Sequence, residues 1–318
     1  MGKEVPAASF ALGISLTANY GTVSIRHHDG SFEDMGRVHG DEAYLEMMQR
    51  LSLRSSRHPS PPYDDMEEQW KDQPRQFWRK MRKAVGLPAS PDVAVLSSML
   101  KKLVELAEPS FSAIISYPAL PGLYQEDIAD AANYLNLQML EGNHRYPPHA
   151  IVAAYAGHSM GLCESFDDEE RCTEQGLKLP VRETLLVEYT EAALLLHSKV
   201  MREAYDLALH NLDIAASFEL GSAGSLRHDN GTRIHKLVVQ LLRKRYDSSP
   251  LPPEVITVIM TGSPRSVNSP GIQKVIKDAV EELGFEADML TSDPDFVAAR
   301  GAAELSWRAL SLTKQAEL

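Results

Sequence analysis

The stretch from Val255 to Ala303 constrains the fold more than any other. An apolar run, Val255-Ile256-Thr257-Val258-Ile259-Met260, stops at Thr261-Gly262-Ser263-Pro264-Arg265. β-Branched residues ending at glycine and proline read as a strand feeding a turn. A segment of helical period follows at Gly271–Leu283, then a short strand. A second helix then starts in Asp293-Pro294-Asp295-Phe296-Val297-Ala298-Ala299-Arg300-Gly301-Ala302-Ala303. Strand, glycine turn and helix form the half-unit of open α/β sheets, whose ligands bind in crevices beyond the strand ends.

Length and charge narrow the possibilities. The chain has 318 residues, which predicts two lobes, and its 43% hydrophobic content allows a real core. A net charge of −12 argues against a nucleic-acid or acidic-membrane binder, because both need a basic footprint. No apolar run reaches the roughly 18 residues that span a bilayer. The start, Met1-Gly2-Lys3-Glu4-Val5-Pro6, has no signal-peptide core, and Pro6 spoils a myristoylation pattern. The two cysteines, Cys163 and Cys172, fit neither a disulfide framework nor a metal knuckle. They are expected to be free thiols in a reducing compartment, and the protein to be cytoplasmic. Asn230-Gly231-Thr232 matches a glycosylation sequon but follows no secretory signal.

Along the chain, Phe10–Leu16 and Gly21–His27 read as strands around a turn at Thr17-Ala18-Asn19-Tyr20, and Asp41–Leu53 is helical by period. After a loop at Ser55–Tyr63, Glu67–Val85 carries Trp70, Phe77, Trp78 and Met81 at helical spacing. Packing of that aromatic stripe into the core is the expectation, with a lid over a small ligand as the alternative. Pro91–Ala107 is a further amphipathic helix, and Ser112–Ala119 a buried strand ending in proline. Asp167–Lys178 reads as an acidic, solvated loop. Leu185-Leu186-Val187 begins a new strand system, Leu194–Ala216 continues it, and Asn230–Tyr246 is a long helix ending in basic residues. His27 and His28 point to opposite faces of a strand end, so they cannot easily share a metal. No Ser-His-Asp grouping, zinc spacing or Walker-type loop occurs.

Several of these segments resemble one family in the same order. The helix start at Asp293–Ala303 resembles the Asp-Pro-Asp-x-x-Val-Ala-x-Gly-Ala-Ala segment of DnaK-type heat-shock chaperones, and Gly262-Ser263-Pro264-Arg265 is similar to their adenosine-contacting turn. Gly13-Ile14-Ser15-Leu16-Thr17-Ala18-Asn19 stands where the family has its first phosphate hairpin. Pro147–Ala156 resembles the connecting helix, and Glu219-Leu220-Gly221-Ser222 the family's x-Leu-Gly-Gly. The resemblance runs from Phe10 to about Lys314. It implies an α/β, two-lobed actin-like (ribonuclease H-like) ATPase-domain fold. The first lobe would span 10–182, with an insert at about 40–106. The second would span 183–318, with a final helix at about 294–314 packing back towards the first.

The family's chemistry does not carry over with the fold. Its aspartate falls on Ser15, a phosphate-hairpin glycine on Thr17, its catalytic glutamate on Pro147 and a further aspartate on Ser217. The second hairpin, Asp-Leu-Gly-Gly-Gly-Thr in the family, reads Glu188-Tyr189-Thr190-Glu191-Ala192-Ala193, with Glu191 set against a polyphosphate. From Tyr246 the chain passes through Asp247–Pro253 directly to the Val255 strand, leaving no room for the adenine-clamping helical subdomain. With the chain ending at Leu318, no peptide-binding domain is expected either. The leading expectation is a repurposed cleft that needs neither cofactor nor metal and binds a small organic molecule. It could act as an ATP-independent cyclase or isomerase of specialised metabolism. The cleft-lining candidates are Asn19, Tyr20, His149, Tyr189, Glu191, Gly262, Ser263 and Arg265, with Arg265 able to pair with an acid such as Glu188. The alternatives are a non-catalytic pseudo-ATPase that binds a partner through an exposed apolar face, and residual nucleotide binding.

Overall fold

The structure is a computed structural model that describes residues 10–107, 112–140, 148–204, 213–224, 229–247 and 253–316. Met1–Pro6, Pro147 and most of the expected linker after Asp247 lie outside the described residues. The first half contains β1 (Phe10–Leu16), β2 (Tyr20–His27), β3 (Phe32–His39), α1 (Glu42–Leu51), α2 (Met66–Ala84), α3 (Pro91–Val104), β4 (Ser112–Ser116), α4 (Gln125–Tyr134) and β5 (Gln138–Met139). Next come α5 (Ala150–Gly157), α6 (Glu169–Lys178), β6 (Arg182–Tyr189), β7 (Leu194–Met201), β8 (Asp213–Ser217) and α7 (Asn230–Tyr246). The chain closes with β9 (Val255–Gly262), α8 (Pro264–Val267), α9 (Pro270–Glu281), β10 (Glu286–Leu290) and α10 (Val297–Ala316).

The strands form two five-stranded mixed sheets, ordered β3-β2-β1-β4-β5 and β10-β9-β6-β7-β8. Counted from its own first strand, each sheet has the order 3-2-1-4-5. The senses match as well. β1–β2, β2–β3, β6–β7 and β7–β8 are antiparallel, whereas β1–β4, β4–β5, β6–β9 and β9–β10 are parallel. The same topology is therefore built twice.

Alternation along the first strand of each sheet explains the layering. Leu12, Ile14 and Leu16 of β1 point into a core with Met48, Leu96, Leu100 and Leu103, under α1 and α3. Leu185 and Val187 of β6 point into a second core with Val238, Leu242, Ile276 and Val280, under α7 and α9. A third cluster joins Ile114 of the first sheet to Leu186 and Ile259 of the second through α5 and α10. Those two helices stand between the sheets at backbone contact. A Cβ added at Gly301 would lie 1.8 Å from the Ala153 carbonyl oxygen, and one at Gly13 would lie 2.1 Å from the Ala303 nitrogen. The small-residue run Val297–Ala303 is thus a packing requirement.

Two expectations from the sequence are corrected. Cys163 and Cys172 are bonded to each other, with their Cα atoms 5.2 Å apart. The argument from free thiols to a reducing compartment therefore falls away. The acidic segment 167–178 is largely helical rather than a loop, because Asp168 caps α6 by accepting from the Arg171 N–H. No helix among the described residues is long and apolar enough to cross a membrane.

Candidate functional site

The turns of the two first hairpins meet. Thr17–Tyr20 is a tight turn closed by Thr17 N–H to the Tyr20 carbonyl (2.8 Å), and the Tyr44 hydroxyl holds the Thr17 carbonyl at 2.7 Å. The β6–β7 turn is closed by Thr190 N–H to the Ala193 carbonyl (3.0 Å). Two carboxylates link the turns. Glu188 Oε1 accepts from the Ala18 N–H at 2.7 Å, and Glu191 Oε2 accepts from Asn19 Nδ2 at 2.9 Å and from Ser263 Oγ at 2.5 Å. Hairpin one, hairpin two and the turn after β9 are thereby tied at one point.

The two acids differ in environment. Glu188 is fully enclosed, and burial pushes its carboxyl up to about 7 although the Ala18 N–H pulls it down. Glu191 is partly open. Burial raises its pKa, but the hydrogen bonds from Ser263 and Asn19, with the charge of Arg37, hold it below the ordinary carboxylate value. Beside them Tyr20 is buried, with the Arg37 guanidinium 5.0 Å from its ring centroid, and its hydroxyl has no hydrogen-bond partner. Burial, followed by the charges of Glu188 and Asp295, raises that phenol well above its ordinary value.

Of the eight residues singled out in the sequence, Asn19, Glu191 and Ser263 are in direct contact, and Tyr20 and Gly262 flank them. Gly262 has φ +124°, and a Cβ there would lie 2.1 Å from the Tyr189 carbonyl oxygen, so only glycine fits between β9 and β6. Tyr189 packs into the second core instead of facing the junction. Arg265 is exposed on α8 and does not meet Glu188, which is occupied by the Ala18 N–H. His149, half-buried, occupies the N-cap position of α5, its ring tilted at 42° against Tyr117 (4.6 Å) and edge-on to His197 (5.6 Å). Burial, reinforced by Lys199, depresses the His149 imidazole to about 4, and His197 is likewise pushed well down, so both are neutral. Sequence reasoning missed His197 and gave Glu188 only a possible pairing with Arg265. The signals were a charge ending the apolar run Leu185-Leu186-Val187 and a histidine inside Leu194-Leu195-Leu196.

The second feature is α2, where the expected packing of the aromatic stripe is overturned. Trp70, Phe77 and Trp78 are 63%, 58% and 66% exposed. Met66, Met81 and Val85 continue the same outward face at helical spacing. The opposite, charged face is the one that packs inward. Arg79, 4% exposed, donates to Asp127 Oδ1 (2.7 Å) and Asp130 Oδ2 (2.8 Å) of α4. Lys83 reaches Asp130 (2.7 Å), Gln76 reaches Glu126 (2.7 Å), and Asp72 takes Arg75, Gln76 and the Tyr63 hydroxyl. The helix is docked by its polar side and presents its apolar side outward. Among the described residues, Trp70 and Phe77 face solvent, and neither lines the cavity at the foot of the helix.

No protein-family model and no curated protein matches the chain.

Proposed function

We propose that this chain is a degenerate, two-lobed member of the actin-like ATPase fold that works as a non-catalytic interaction module, engaging a partner through the outward face of α2. The fold assignment is supported by the doubled 3-2-1-4-5 topology, the two helices between the sheets and the facing hairpin turns. The loss of nucleotide chemistry is supported by the junction itself. Where the family leaves glycines for phosphate oxygens, the Glu188 and Glu191 side chains fill the space and tie the turns together. A polyphosphate would have to break three hydrogen bonds and sit against two acids.

The single observation that carries the interaction reading is the reversed α2. Exposed apolar residues scattered singly need no explanation, but a continuous aromatic stripe backed by ion pairs marks an interaction face. The decisive experiment places a photo-cross-linking phenylalanine at Phe77 in the source cells, with one at exposed Lys244 as control. A discrete cross-linked partner at position 77, lost in Trp70→Ser, is expected. Cross-links equal to those at Lys244 would refute the interaction role.

A second reading, a small organic ligand in the cleft, is favoured by the unpartnered Tyr20 hydroxyl beside the junction. Thermal unfolding with millimolar ATP–Mg separates both from a nucleotide role. A ligand at about a hundredfold over its Kd adds about 2.7 kcal/mol, and no such rise is expected.

A further inference from the structure

A cavity of about 550 Å³ opens at the foot of α2, between the C-terminal end of α1, the loop after it and the start of α3. The hairpin junction does not use it, and of the outward stripe only Trp78 reaches it. Its apolar part is Leu51, Ala89 and Pro91, and the Trp78 indole stands at its rim. Four guanidiniums line it, and three are matched by acids. Arg50 pairs with Asp92, Arg75 with Asp72 and Glu126, and Arg79 with Asp127 and Asp130. Arg82 is the exception. Among the described residues its only hydrogen bond runs from Nε to the Pro88 carbonyl (2.7 Å), which leaves both terminal amino groups free of a protein partner. Arg75 also keeps its Nη1 buried without a hydrogen-bond partner.

A half-buried guanidinium with both terminal amino groups open favours a planar acid, because its fork matches a carboxylate bidentately. The same cavity is lined by the carboxylates of Asp92 and Asp127, so a dianion such as phosphate meets about twice the repulsion that a monoanion meets. Its volume lies within the range of about 300–1,000 Å³ usual for ligand pockets, while its lining is mostly polar, with the apolar contacts confined to Trp78, Leu51, Ala89 and Pro91. We propose that the cavity is a binding site for a flat, apolar monocarboxylate, its body between Trp78 and the Leu51–Ala89–Pro91 floor and its carboxylate on Arg82. Trp78 is shared with the outward stripe, but Trp70 and Phe77 do not line the cavity, so the two roles are tested separately through those residues and Arg82.

The test is calorimetric titration of the full chain with 2-naphthoate, with 2-naphthamide as the neutral isostere and inorganic phosphate as the dianion. The naphthoate is expected to bind in the submillimolar range, with the amide and phosphate at least about tenfold weaker, the size of one lost charge-assisted contact. Arg82→Gln should lower naphthoate affinity by a similar factor, because the contact it removes exists only with the anion. Trp78→Ser should weaken the acid and the amide alike. Unchanged melting of Arg82→Gln confirms that it folds, and Trp78→Ser probes the site without touching its charge. Absence of naphthoate binding at millimolar concentration, equal binding of the amide, or indifference to Arg82→Gln would each overturn the proposal. Binding that survives Arg82→Gln but is lost in Trp70→Ser/Phe77→Ser would place the probe on the outward stripe and overturn it too. Failure of the cross-linking experiment leaves these outcomes unchanged.

Discussion

Replacing Glu188 with glutamine should make the protein more stable at pH 8 and leave it nearly unchanged at pH 5. The carboxyl is fully enclosed and titrates near 7, against an ordinary value of 4.5. The folded state therefore holds a proton across that window that the unfolded chain releases, so stability falls as pH rises from about 4.5 to about 7 and is flat beyond. At 1.36 kcal/mol per pH unit, the 2.5-unit gap amounts to about 3 kcal/mol. Glutamine keeps an acceptor for the Ala18 N–H and never ionises, so the variant avoids that loss. Unfolding entropy of about 2.1 cal/mol/K per residue over 318 residues converts 3 kcal/mol into a Tm difference of about 4–5 °C at pH 8.

The wild-type curve alone would mislead. His149 and His197 are neutral with depressed pKa values, so they contribute stability that is lost as pH falls from the ordinary 6.5 towards about 4 for His149. Their slope opposes that of Glu188 over much of the same range. The informative quantity is the difference in Tm between Glu188→Gln and wild type, measured calorimetrically at pH 5 and pH 8, in which the histidine contributions cancel. A difference that is the same at both pH values would show that Glu188 is not a buried, titrating carboxyl, and the hairpin junction would lose its closed, desolvated character.

Two further predictions concern the scaffold. Gly301→Ala places a methyl 1.8 Å from the Ala153 carbonyl oxygen where α5 and α10 touch. It should lower unfolding free energy by about 3 kcal/mol or more in a urea titration, whereas a loss under about 0.5 kcal/mol would mean the helices are not in backbone contact. Reduction of Cys163–Cys172 opens a short loop of sequence separation 9, worth about 2.7 kcal/mol on the chain-entropy account. A fall in Tm of about 4 °C with reductant is expected, and no fall would mean the thiols are not joined in solution.

The sheet strands and long helices were legible because their signals are local. Val255–Gly262 and Asn230–Tyr246 carry the period and the terminators of their elements within their own sequence. What was illegible depended on residues far away. Cys163 and Cys172 meet only because α6 turns back after α5, and nothing in their spacing encodes that. At the candidate site, the Asn19–Glu191–Ser263 contacts were foreshadowed, since the hairpin turns and the β9 turn can be placed by topology. Tyr189 was misplaced because a residue in a strand faces one side or the other by parity. Thr184, Leu186 and Glu188 face the first sheet, which sends Tyr189 into the other core.

The reversal of α2 shows most clearly where periodicity stops being informative. Its sequence carries two stripes of helical spacing, one apolar (Met66, Trp70, Phe77, Trp78, Met81) and one polar (Asp72, Arg75, Gln76, Arg79, Lys83). Amphipathicity says that the stripes lie on opposite sides but not which one is inward. The deciding partner is α4, whose first turns present Glu126, Asp127 and Asp130. Basic groups on α2 meet those acids, and desolvated ion pairs of that kind usually break even at best against an apolar interface. Burying a tryptophan or phenylalanine side chain would instead contribute about 2–3 kcal/mol each. For Trp70, Phe77 and Trp78 the forgone stabilisation is comparable to the whole net stability of a typical domain, about 5–15 kcal/mol. A helix docked this way gains little for the fold from its apolar side. Among the described residues that side stays open to solvent, and under the proposed interaction role a partner would supply the missing burial.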